Sequence, residues 1–155
     1  MSQGSNMDMS RVTTGERIVL GAAGLFFLWT FLPVWYTFSA AGISSSLNGF
    51  RSVTLVAWLI SVLAIAEILL RSLLGVKYEL PVKAGVLHVV LAGVALLMTV
   101  LGLLTAPDPY GVGWGLIVAI ILALAWTYGA YVMYSEPEMP AMGPPSSSDT
   151  PGYPS

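Results

Sequence analysis

The chain has 155 residues, 56% hydrophobic and 9% charged, with a formal net charge of -2. Soluble domains carry roughly 25% charged residues, and a short soluble chain keeps a large share of its surface in water. The composition therefore points to lipid as the solvent. The small net charge and the lack of a basic run exclude a nucleic-acid partner, and the absence of cysteine excludes disulfides, thiolate metal sites and thiol redox chemistry.

Residues 1–15 are polar and aperiodic, which predicts a flexible tail. Four apolar runs come after it, at about 17–38, 52–74, 82–104 and 112–134. Each holds about 22 residues, or about 33 Å of helix, enough to cross a hydrocarbon core of about 30 Å. The runs are continuous rather than alternating, which excludes barrel strands. The expected fold is all-α, an integral membrane four-transmembrane-helix bundle. Its connections are polar or rich in turn formers: Ser39 to Arg51, Gly75 to Pro81, and Thr105 to Gly111. The last 21 residues, 135–155, hold six prolines and read as a disordered tail. The first run is far longer than the apolar part of a signal peptide, and so reads as an uncleaved helix.

Arg11, Arg17, Arg71, Lys77 and Lys83 gather on one side and Arg51 stands alone on the other. Basic residues accumulate on the cytoplasmic side, so both termini are expected there, in a multi-pass protein of the cell membrane.

Glu67 lies one turn inside the end of the second helix, with Arg71 at i+4, a favourable spacing for an ion pair. His88, the sole histidine, lies at a similar depth on the third helix. The short link makes these helices antiparallel neighbours, so Glu67 and His88 can meet and share a proton. The competing readings are a purely structural ion pair and a histidine that donates one interhelical hydrogen bond. Ala84, His88, Ala92, Ala95, Thr99 and Gly102 recur on one face of the third helix and mark it as a packing face. Gly115 with Ala119, and Ala125 with Gly129, are small-xxx-small pairs for helix contacts. Trp29, Pro33, Trp35 and Tyr36 form an aromatic group around a helix-ending proline, read either as a lipid, quinone or partner surface or as an interfacial belt. A lone histidine provides neither two haem ligands nor a zinc site, so no metal or cofactor is expected. No nucleophile constellation appears, and an enzyme is not expected.

The stretch Phe31-Leu32-Pro33-Val34-Trp35-Tyr36 closing a first helix, a polar outer loop, three more helices and a Pro-rich tail resemble a loose group of small four-helix membrane proteins of actinobacteria. That resemblance implies a layout and no activity. Small multidrug-resistance transporters also combine four helices with a membrane glutamate, but theirs lies in the first helix. Here Glu67 is in the second, beside an arginine. The expected function is a non-enzymatic scaffold or accessory subunit, whose partners are membrane lipids and either other membrane subunits or itself. The alternatives are a dimeric proton-coupled transporter or channel using Glu67 and His88, and a lipid- or quinone-binding protein.

Overall fold

The computed structural model describes residues 12–51, 53–73 and 82–136. Residues 1–11 and 137–155 of the two expected tails, with Arg11, and the link Gly75 to Pro81 with Lys77 lie outside the described residues, whereas Thr14 and Gly15 of the first tail and Ser135 of the second are helical. In chain order the elements are α1 (Thr14–Trp29), β1 (Tyr36–Ala40), β2 (Ile43–Leu47), α2 (Thr54–Ile68), α3 (Ala84–Leu101), β3 (Gly111–Val112) and α4 (Trp114–Ser135). A π-helical turn, Leu69–Leu73, extends α2. Three helical segments are long and apolar enough to cross a membrane: Thr54–Arg71, Ala84–Leu101 and Trp114–Ser135.

The fold is mostly helical but not purely all-α, and the expected first helix, 17–38, is corrected at both ends. It starts earlier because Thr13 and Glu16 form a reciprocal cap. The Glu16 amide donates to Thr13 Oγ1 at 3.3 Å, and the Thr13 amide donates to Glu16 Oε2 at 2.9 Å. It stops at Trp29 because Pro33 has no amide hydrogen and disfavours helical geometry at Leu32. The chain tightens through bonds from Phe31 N to Leu28 O and from Leu32 N to Trp29 O, then turns.

The expected polar loop is instead a hairpin. β1 and β2 pair antiparallel from Tyr36 opposite Leu47 to Ala40 opposite Ile43. Ala41 and Gly42, both with positive φ (50° and 81°), make the two-residue turn that fits the twist of a hairpin. β3 joins the other edge of β1, giving the order β2-β1-β3. This strand takes Val112, the residue expected to open the fourth helix, and α4 starts at Trp114. Before α4, Gly113 N donates to Trp35 O, and Gly115 N donates to Val34 O, so the loop after α1 satisfies amides at the α4 N-terminus.

α1 packs along α4 and α2, and α3 packs between α2 and α4. Small residues set the approach. His88, Ala92, Ala95 and Thr99 of α3 are fully buried, and Gly102 is buried just after it, while Ala84 is half-buried. Gly115, Ala119, Ala123 and Ala130 of α4 are also buried. Ala125 is exposed and Gly129 buried, so that pair does not share one internal face.

A Cβ on Gly129 would lie 2.7 Å from Ile18 Cγ2, and one on Gly85 would lie 2.7 Å from Tyr134 Cα. Overpacking of this kind costs about 1–3 kcal/mol or more where backbone must move. Gly85→Leu and Gly129→Leu should each lower stability by at least about 2 kcal/mol. Unfolding in mixed micelles by circular dichroism would measure this, with Gly21→Leu as a clash-free reference that should not lower stability, since a Cβ there meets nothing within 4 Å.

Candidate functional site

The charged side chains Glu16, Glu67 and Arg71 and the buried His88 converge at one end of the molecule, where α1 begins, α2 ends, α3 begins and α4 ends. The π-helical turn carries Arg71, and such turns recur at functional positions. Arg71 Nη2 donates to Glu16 Oε1 at 2.6 Å, and Arg71 Nε donates to Glu67 Oε1 at 2.9 Å. The other Glu67 oxygen, Oε2, lies 2.7 Å from His88 Nε2. Side chains from α1, α2 and α3 thus form one connected chain of groups: Glu16, Arg71, Glu67, His88.

Burial makes this chain consequential. His88 is 0% exposed, Glu16 2% and Glu67 9%, whereas Arg71 is 33% exposed. A carboxylate removed from water needs a partner, and the Arg71 guanidinium bonds to both Glu16 and Glu67. His88 Nδ1 is buried without a hydrogen-bond partner.

A cavity of about 210 Å³ abuts the cluster. Thr13, Glu16, Arg71, Lys83, Tyr134 and Glu136 are among its walls. The cavity therefore reaches the outer members of the cluster, Glu16 and Arg71. Glu136 ties α4 back to α1, since its Oε1 accepts from Gly15 N at 3.0 Å.

Sequence reasoning points to Glu67, Arg71 and His88 but misses Glu16 and Glu136. Thr13-x-x-Glu16 is the available signal, a capping box at the edge of a segment whose composition reads as a tail.

The aromatic group lies at the opposite end, and half of it is not a surface. Trp35 and Tyr36 are fully buried, which removes them from the expected lipid or partner face. Trp35 N donates to Leu47 O, its Nε1 donates to Trp29 O at 3.0 Å, and its ring meets Phe26 edge-on at 5.9 Å. Pro33 is exposed and Trp29 half-buried, with Trp29 Nε1 donating to Gly115 O at 2.9 Å. Tyr36 Oη donates to Gly102 O at 3.4 Å. Burial pushes the Tyr36 phenol above its ordinary value, and a hydrogen bond with Thr54 partly opposes this.

Compared with known proteins, the chain matches no family model, no curated protein and no solved structure.

Arg71→Met strips Glu16 and Glu67 of a shared cation. The expected loss is about 2–4 kcal/mol, set below the range for a fully buried pair because Arg71 is partly exposed. Unfolding of the single variants and of the Glu16→Gln, Arg71→Met double variant gives the coupling, and additive effects would show that the tie contributes nothing.

The raised Tyr36 phenol favours the folded state fully below pH 10, and that contribution is lost as pH rises through the folded value. Alkaline unfolding should therefore lose a component in Tyr36→Phe, as read by near-ultraviolet circular dichroism across about pH 8–12.

Proposed function

We propose that the chain is a multi-pass protein of the cell membrane, a four-helix bundle with both termini cytoplasmic. In this reading it works without catalysis, as a scaffold or accessory subunit, through helix–helix association with itself or other membrane subunits.

The reading of α1 as a fourth crossing is supported by its neighbour. α1 has 16 residues, about 24 Å, which is short for a bilayer. It nevertheless runs along α4 from the level of Met133, which faces Gly15, to that of Gly115, which accepts from Trp29. That stretch of α4 covers about 27 Å. The cytoplasmic placement rests on Arg71 and Lys83 at the cluster end, against Arg51 at the sheet end.

The observation that carries the association reading is a pair of outward glycines. Gly21 on α1 and Gly93 on α3 are exposed, and a Cβ at either would meet nothing within 4 Å. Glycine inside a helix costs about 1 kcal/mol relative to alanine, and these two gain nothing inside the chain in return. On a lipid-facing surface, small residues let a second helix approach closely. Large apolar residues surround them, with Leu25 and Leu28 on α1 and Val89, Val90 and Leu97 on α3 all exposed.

Native mass spectrometry from nanodiscs or gentle detergent should find the chain in a species larger than itself. Gly21→Leu and Gly93→Leu should reduce that species about tenfold, equivalent to about 1.4 kcal/mol, without lowering monomer stability. A lone monomer with no co-purifying subunit would overturn the reading.

A further inference from the structure

β2 is paired on one side only. In the order β2-β1-β3 its outer edge meets no other strand among the described residues. The opposite edge of the sheet is β3, two residues long, whereas β2 presents five.

The turn decides which groups stand on that edge. A two-residue turn with positive φ at Ala41 and Gly42 makes Ala40 and Ile43 a hydrogen-bonded pair. Hydrogen-bonded and non-hydrogen-bonded pairs alternate along an antiparallel ladder. Phe38 with Ser45 and Tyr36 with Leu47 are then hydrogen-bonded, while Ser39 with Ser44 and Thr37 with Ser46 are not. The amides and carbonyls of Ser44 and Ser46 therefore point away from β1. Among the described residues no other backbone group reaches them.

Folded proteins blunt such an edge with charge, proline or a bulge. β2 has none of these. It pairs residue for residue with β1, it holds no proline, and no charged residue occurs between Arg17 and Arg51. Ser44, Ser45 and Ser46 are exposed, and Ile43 is 68% exposed.

The strand is complementary to itself. Antiparallel pairing about Ser45 sets Ser44 opposite Ser46 of a second copy, and Ser46 opposite its Ser44. Both are pairs of outward-facing residues, so each exchanges two backbone hydrogen bonds. The same register sets Ile43 opposite Leu47 of the second copy, on the face that carries Ser45. A slip of one residue opposes outward groups to inward ones, and a slip of two parts Ile43 from Leu47. A patch that matches its own copy in this way is the requirement for a two-fold pair.

We propose that β2 is a docking edge for a second copy of this chain, joined strand to strand about Ser45 so that one sheet runs β3-β1-β2 into β2-β1-β3. This interface lies outside the helices and does not rest on the outward glycines.

The native chain has no cysteine, so single cysteines report without background. The full chain in gentle detergent is oxidised mildly and resolved on a non-reducing gel. Ser45 and its counterpart are the non-hydrogen-bonded pair on the axis, with Cα atoms about 4.5 Å apart, within disulfide reach. Ser44 and its counterpart are diagonal neighbours about 8 Å apart, beyond that reach. Ser45→Cys should therefore form a cross-linked dimer about tenfold faster than Ser44→Cys. A mixture of Ser44→Cys and Ser46→Cys chains should cross-link where neither does alone. Ser46→Pro, added to Ser45→Cys, removes an amide that β1 does not use and should cut cross-linking about tenfold. Ser46→Lys, which keeps that amide but charges the edge, should also cut it. Gly21→Leu and Gly93→Leu should leave it unchanged, so loss of helix association and loss of this interface read out separately. Equal rates at positions 44, 45 and 46, or no cross-link at 45, would overturn the proposal. So would cross-linking of Ser45→Cys that neither Ser46→Pro nor Ser46→Lys diminishes.

Discussion

One guanidinium, that of Arg71, stands between two carboxylates that the fold has withdrawn from water. Glu16 belongs to the first turn of α1 and Glu67 to the last turns of α2, so the position of one helix end defines that of the other. Through Glu67 the constraint extends to His88 and α3, and through the neighbouring Gly15–Glu136 bond to α4. Buried ion pairs recover little net stability, because desolvation offsets most of their attraction. Their effect is to forbid alternatives. A sliding of α1 by one turn would part Glu16 from Arg71 and would also break the close approaches of α1 to Gly129 and Met133.

The opposite end is fixed by different forces. There the chain uses backbone hydrogen bonds: a three-stranded sheet, Trp35 bonded on both sides to Leu47 and Gly113, and α4 amides received by Val34 and Trp35. Between the two ends the packing is close, with alanines of α2, α3 and α4 fully buried. Polar side chains in this middle zone bond their own helix. Thr99 Oγ1 donates to Ala95 O, Thr127 Oγ1 to Ala123 O, and Ser61 Oγ to Trp58 O. The ion pairs that join Glu16, Arg71, Glu67 and His88 between helices thereby lie at one end.

Periodicity records local order, and that decides which parts of the molecule are legible in its sequence. The three long helices are legible because their runs are apolar without interruption, and the Glu67–Arg71 contact because i+4 spacing fixes it locally. The inward direction of His88 is legible from the small residues in register with it. The end of α1 is obscured because Phe, Trp and Tyr count as apolar in a strand as they do in a helix. Pro33 is the informative residue there, and it marks Tyr36 to Phe38 as non-helical where hydropathy does not. Aromatic residues gather at membrane boundaries, which directs Trp35 and Tyr36 to a surface. The sheet that covers them has no signature within β1, whose partner β3 lies some 70 residues away. Glu16 is hidden differently, since its partner Arg71 is 55 positions along the chain. No local pattern encodes that distance.

That separation bears on biosynthesis. A chain is made from its N-terminus, so α1 emerges before either of the groups that hold its first turn. Arg71 comes 55 residues after Glu16, and Glu136 comes 121 after Gly15. While those 55 intervening residues are made, Glu16 is a carboxylate without Arg71, better accommodated in water than against other helices. The first turn of α1 therefore gains both of these contacts only after α2 and α4 have followed it off the ribosome.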